Sequence, residues 1–268
     1  MKHEFKSYYL DAPLVKGRAL DVFVPEQITR DVSIFIVHGG GWRGGNRQSF
    51  HPIMEAFNNE GIITASTDYR LGAKDAFEQL SDIRASCDRF VSILKEMGRP
   101  LKIAVYGESA GSHLASLLVC AAPGACGENN SFANKWVAPS FGLLHATPAT
   151  FEPWEDIYPQ VWSAMQDIAG ASYKKDPGRY RRLSLCRYIG KNNPPLFFIE
   201  AEYECMFYSD MNRKLLAKHR RLGIPSQMKI YPRMEHGFFY ALARKQQKAC
   251  FRDIIDFIDG RKVKAGEA

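Results

Sequence analysis

Residues 101–121 read LKIAVYGESAGSHLASLLVCA, and this stretch decides the fold. Residues 101–106 are rich in apolar and β-branched side chains, which predicts a strand. Residues 109–121 predict a helix. Between them stands Gly107-Glu108-Ser109-Ala110-Gly111, a G-x-S-x-G sequence in the strand-to-helix setting that its chemistry requires. Such a turn forces the serine into a strained conformation. The flanking glycines remove Cβ atoms that would strike neighbouring backbone. The hydroxyl then projects above the sheet, and the helix N-terminus beneath it favours developing negative charge. A helix N-cap serine with incidental glycines would give the same letters; the setting makes Ser109 the candidate nucleophile.

Working outward, strand and helix signals alternate almost throughout. Strands are predicted over 8–10 and 20–24, joined by a turn at Lys16-Gly17, then over 32–37 (VSIFIV), 62–67, 141–146, 196–201 (LFFIEA) and 228–231. Helices are predicted over 49–60, 75–97, 208–222 and 241–259, with Gly61, Gly98 and Gly223 as stops. This order argues an α/β fold: a mostly parallel central sheet of about eight strands with helices on both faces. Residues 123–139 and 148–182 break the alternation. The first is rich in Gly, Asn, Ala and Ser, and the second carries Pro, Tyr and Trp without clear period, so both are expected as cap segments in a single domain spanning 1–268.

Composition excludes several classes. The chain has 268 residues, 46% of them hydrophobic and 24% charged, enough for one sizeable core. Net charge is +7, but the basic residues are dispersed. Their densest cluster, Lys174, Lys175, Arg179, Arg181 and Arg182, is broken by Asp176, Pro177 and Gly178 and reads as a solvated loop face. Neither nucleic-acid nor membrane binding is expected. The N-terminal residues carry no signal-peptide run, and the six cysteines form no C-x-x-C pair, so no metal or other cofactor is expected and reduced thiols in the cytoplasm are.

Two further motifs carry chemistry. His38-Gly39-Gly40-Gly41-Trp42 follows the central strand directly. Consecutive glycines let backbone N–H groups point into a cavity, as a developing oxyanion requires. Gly40 and Gly41, with Ala110, are the expected donors. A phosphate loop fails on pattern, since no Lys-Ser/Thr follows the glycines. His38 reads as a structural hydrogen-bonding residue. Trp42 either packs beneath the loop or walls the pocket; with Glu108 it is a candidate substrate-binding residue. His236, in Met234-Glu235-His236-Gly237-Phe238, follows the last predicted strand at the sheet edge where such sites gather. His145 is its rival as general base.

Taken together, HGGGW, Asp68-Tyr69-Arg70-Leu71, GESAG and His236-Gly237-Phe238 resemble, in order and spacing, the α/β-hydrolase fold. The branch is that of hormone-sensitive-lipase-like esterases and BD-FAE-type feruloyl or acetyl esterases, over roughly residues 20–260. The resemblance implies a Ser–acid–His triad, with Asp68-Tyr69-Arg70 as a structural strand end. Relatives usually place an aspartate beyond the strand matching LFFIEA. Here the segment is Glu200-Ala201-Glu202-Tyr203-Glu204-Cys205-Met206. Aligning on that strand and on Gly223 puts Glu204 at the acid position, 32 residues before His236, with Glu202 as its rival and Asp210 behind both.

The resemblance implies a serine carboxylesterase for short-chain or aromatic acyl esters, acetyl or feruloyl in type, with a small-molecule or plant oligosaccharide ester as partner and a homodimer as one open assembly state. An arylformamidase, amidase or peptidase on the same scaffold, or a non-catalytic ligand-binding homologue, are the alternatives. The aromatic residues Phe132, Trp136, Phe151, Trp154, Tyr158, Trp162, Tyr173 and Tyr180 either line a pocket or fill the core beneath it.

Overall fold

The computed structural model describes residues 4–10 and 18–263; the Lys16-Gly17 turn lies outside them. Eight strands form one sheet: β1 (Glu4–Tyr9), β2 (Ala19–Val24), β3 (Val32–Val37), β4 (Thr64–Thr67), β5 (Lys102–Glu108), β6 (Phe141–His145), β7 (Leu196–Tyr203) and β8 (Gln227–Glu235). Their spatial order is β1-β2-β4-β3-β5-β6-β7-β8. The two pairings made by β2 are antiparallel and the rest are parallel.

The helices are α1 (His51–Asn59), α2 (Ala76–Glu96), α3 (Ala110–Cys120), α4 (Pro159–Ala169), α5 (Pro177–Arg182), α6 (Ser209–Arg221) and α7 (Lys245–Ile258). The chain leaves β3 to one side through α1 and returns past it to β5 through α2. Right-handed crossovers therefore place α1 and α2 on opposite faces. Two cores result. Phe35 and Val37 of β3 join the side covered by α2, α3 and α6, while Ile34 and Ile36 join the side covered by α1 and α7. Burial on both faces explains the unbroken apolar run of β3. The reversal of strand order falls between β3 and β5, so the crevice beyond their carboxyl ends is where such a sheet offers a site.

Most predicted elements stand, with ends shifted by a few residues. The larger difference is in 148–182, where two helices replace the aperiodic segment. Pro159 opens α4, left-handed Gly170 caps it, and Val161, Met165, Ile168 and Ala169 are its buried stripe. That period was masked by the aromatic residues interleaved with it. The basic cluster is also more organised than a solvated loop face. Arg179 bonds Asp75 at 2.5 Å and lies over the Phe77 ring, pinning α5 to the start of α2. Arg182 lies over the same ring. Among the described residues, no helix is long and apolar enough to cross a membrane.

Candidate active site

The strained turn is real. Ser109 sits at φ 54°, ψ −121°, at the head of α3. Its N–H donates to the His145 carbonyl at 2.9 Å, which locks the turn to the end of β6. The flanking glycines are sterically required. A Cβ on Gly107 would lie 2.5 Å from the Gly111 carbonyl oxygen. A Cβ on Gly111 would lie 2.2 Å from the His38 carbonyl oxygen, so α3 starts directly against the end of β3. That close approach sets the nucleophile helix beside the glycine loop.

In the loop itself, Gly40 (φ 113°) and Gly41 (φ 58°) are left-handed. The Gly40 carbonyl accepts from Gly44 N–H at 2.8 Å, folding the loop back on itself, and a Cβ on Gly41 would face open space. Backbone there is uncovered, as an oxyanion cradle needs. His38 is structural, as its sequence setting suggests: its Nδ1 meets the Gly39 carbonyl at 2.8 Å and its ring stacks on Tyr69. Asp68 accepts from Arg47 N–H at 2.7 Å and pairs with the Arg47 guanidinium. Arg70 is held by Asp82. Asp68-Tyr69-Arg70 thus buttresses the loop from behind.

Of the two roles open to Trp42, packing is the one its surroundings show. It is buried edge-on against His113 and Phe151, and its Nε1 donates to His113 Nδ1 at 3.2 Å. His113 Nε2 in turn lies 2.7 Å from the Leu183 carbonyl, at the end of α5. Glu108 likewise acts as a spacer. A Cβ on Gly39 would lie 2.9 Å from its carbonyl oxygen, and one on Gly237 would lie 2.6 Å from its Oε1. The residue beside Ser109 is therefore wedged between the loop after β3 and the residue after His236, which brings three distant stretches of chain to one rim.

The imidazole of His236 reaches Glu204: Nδ1 and Oε2 are 2.7 Å apart. The other oxygen, Oε1, accepts from Met206 N–H at 2.8 Å and Phe207 N–H at 3.2 Å, so the carboxylate is fixed at both ends. A bulge makes this pairing possible. The β7–β8 register slips between Ala201 and Tyr203, and Arg233 turns left-handed (φ 57°), re-aiming the end of β8 toward the acid turn. Glu202 is spent on this bulge, accepting from Arg233 N–H at 2.7 Å. Asp210 is exposed on α6 beside Arg213. Of the three acids weighed, Glu204 is the one on the imidazole.

Electrostatics separate the histidines. Burial works against a charged His236, but the hydrogen bond and charge of Glu204, with Glu108 behind it, outweigh this and hold its pKa above the ordinary value. Burial raises the Glu108 carboxyl, with His236 opposing and Glu204 adding to the shift. His145 is fully buried, and desolvation, aided by His236, drives its pKa down to about 3. Its Nδ1 is engaged by the Tyr106 hydroxyl at 2.9 Å. So low a pKa makes this enclosed ring a weak proton acceptor.

The aromatic residues divide mostly toward the core. Phe151 and Tyr180 are fully buried, Trp162 and Tyr173 pack on Tyr180, and Phe132 pairs with Trp136. One branch approaches the site: Trp154 packs on Phe207, and Phe207 on the His236 ring, centroids 5.9 Å apart. Among the described residues, no group of three His, Cys, Asp or Glu is placed to hold a metal ion, and the six cysteines are free. The sequence reading missed Glu200 and Asn212, both fully buried near Glu204. The signal was available: Leu196, Phe198 and Glu200 share one face of β7, so an acid occupies an inward position of LFFIEA.

The BD-FAE family profile matches residues 20–215. The chain belongs to the BD-FAE family. Within this BD-FAE protein the matched span holds the glycine loop, Ser109 and Glu204 and ends before His236. Esterase LipQ of Mycobacterium tuberculosis is 25% identical over 246 residues, 85% of this chain and 56% of LipQ. Kynurenine formamidase of Salmo salar is 26% identical over 106 residues, 39% of this chain and 35% of that protein. The chain thus spans about half or less of the length of these relatives. Esterase B from Lactobacillus Rhamnosis (HN001) shares the fold, with TM-score 0.78 and 18% identity over 96% of this chain and 85% of that one.

Proposed function

We propose that this BD-FAE protein is a serine carboxylesterase acting on short-chain or aromatic acyl esters. The observation that carries the reading is the 2.7 Å bond from a doubly anchored Glu204 to His236, at the same rim as the left-handed Ser109. His236 takes the Ser109 proton as the hydroxyl attacks the ester carbonyl. Gly40, Gly41 and Ala110 N–H groups hold the oxyanion. The alcohol leaves with the proton from His236, and water repeats the sequence on the acyl-enzyme. Glu204 orients the ring and stabilises the imidazolium, and the raised His236 pKa suits a base that must hold a proton between the two halves of each step.

The finer substrate assignment is an acetyl or feruloyl ester on a small molecule or plant oligosaccharide. The test is a fluorophosphonate label and a panel of p-nitrophenyl and hydroxycinnamoyl esters. Wild type is expected to label and turn over. Ser109→Ala is expected to lose the label and on the order of 10⁴-fold or more in kcat. A folded wild type that neither labels nor hydrolyses any ester overturns the reading in favour of a ligand-binding homologue. The similarity to kynurenine formamidases favours one second reading, hydrolysis of an aryl formamide by the same residues. A formanilide turned over faster than the matched formate ester selects it.

A further inference from the structure

We propose that Glu200 is a positioning residue: through Asn212 and Thr147 it holds the turn that carries Glu204 in register with the nucleophile helix α3. The inference rests on the reading of Ser109, His236 and Glu204 as the catalytic set. Glu200 occupies the third inward position of β7, after Leu196 and Phe198, where the strand pattern calls for an apolar side chain. It is fully buried. Its Oε1 accepts from Asn212 Nδ2 of α6 at 2.8 Å. The same nitrogen donates to the Thr147 carbonyl at 2.9 Å. The Thr147 hydroxyl meets that of Ser112, in the first turn of α3. Asn212, Thr147 and Ser112 are themselves buried. A continuous polar thread therefore runs from the strand that ends at the acid turn to the helix that begins at the nucleophile, inside an otherwise apolar layer.

A buried polar group in such a position is costly unless it specifies something. No cation bonds this carboxyl, and its Oε2 has no hydrogen-bond partner among the described residues. Burial raises its pKa to about 8; the Asn212 bond opposes this, the charge of Glu204 adds to it, and Arg213 opposes it. Among the described residues, those two are the charged groups that shift Glu200. From the loop after β6 and from α3 it is linked to uncharged Thr147 and Ser112, and across β8 its partner is Ile230. Glu200 is accordingly a carboxylic acid at neutral pH. Its ionisation above pH 8 keeps the Asn212 bond, which favours the charged form, but sets a second negative charge beside Glu204 and repels that carboxylate from its place on the imidazole.

Glutamine mimics the neutral acid, and alanine removes it. We expect Glu200→Gln to keep kcat within about 3-fold of wild type at pH 7 and to retain activity above pH 8, where wild type declines. Glu200→Ala is expected to lose roughly 30-fold in kcat with KM changed less than about 3-fold. Labelling by a fluorophosphonate, followed across the same pH range, reports the set of Ser109 and His236 directly. A Glu200→Gln profile superimposable on wild type from pH 6 to 10 overturns the proposal, as does a Glu200→Gln loss at pH 7 as large as that of Glu200→Ala. If Glu200→Ala does not fold, the glutamine profile alone decides. Retained activity in Ser109→Ala would instead sink the catalytic reading beneath it, so the two failures are distinguishable.

Discussion

The two halves of the site are built by different means. At the ends of β3 and β5 the geometry is written in backbone: left-handed Gly40, Gly41 and Ser109, and glycines at 107 and 111 that allow a helix to start against a strand end. At the ends of β7 and β8 it is written in side chains: Glu204 bonded to two N–H groups and an imidazole, Glu202 bonded to a bulge, and Glu200 threaded to α3. A backbone site tolerates almost no change at its glycines, because each is a steric requirement. A side-chain site tolerates isosteric change structurally and answers it in function.

Substitutions can break or sharpen this contrast. On the side-chain half, Glu204→Gln should fold normally yet lose on the order of 10³-fold in kcat, because an amide presents the wrong partner to His236 Nδ1 and cannot stabilise the imidazolium; esterase kinetics beside a melting curve check it. On the backbone half, Gly111→Ala drives a Cβ to 2.2 Å from the His38 carbonyl oxygen. It should destabilise by about 3 kcal/mol or more, read by urea unfolding, with activity lost as a consequence of stability. Equal melting temperatures for these two variants would dissolve the contrast.

Acid tests the backbone half further, since buried histidines support the glycine loop and the end of β6. Burial lowers His113 to about 4 and His145 to about 3. In the unfolded chain both protonate near pH 6.5. Between pH 6.5 and those folded values the unfolded state binds more protons, so stability falls as pH falls, by roughly 3 kcal/mol for His113 alone once pH 4 is reached. Urea midpoints measured from pH 7 to 4 should decline over that window. Activity should fall at higher pH than stability does, beginning above pH 6.5, since His236, with its raised pKa, protonates first. The smallest effect is expected for Glu202→Gln, within about 3-fold in kcat, because Glu202 serves the bulge through Arg233 N–H.

The contrast also explains what the sequence made legible. The order of elements along the chain, the nucleophile turn and the glycine loop follow from local sterics and periodicity, which act within a few residues and leave marks such as GESAG and HGGGW. The acid depends on a register slip between two strands and on which of three nearby carboxyls the bulge consumes, and neither is a local property. Glu204 was reached only through the family resemblance, by aligning on LFFIEA and Gly223, with Glu202 still open. The roles of Trp42 and Glu108 were not legible, because packing against His113 or wedging between two loops is decided by segments far apart in the chain. The parity of Glu200 in β7 was visible, but its meaning required α6 and α3 to be in place.

His113 joins the glycine loop to the end of α5 through one ring. A neutral imidazole owns one proton and one free lone pair. Since Trp42 can only give a hydrogen, the ring must receive at Nδ1 and give at Nε2 to Leu183. The strut is therefore polarised, and a replacement must match direction as well as size. A leucine or phenylalanine of similar bulk would leave an indole hydrogen and a main-chain oxygen stranded at opposite ends, and the end of α5 and the glycine loop would no longer be mechanically one piece.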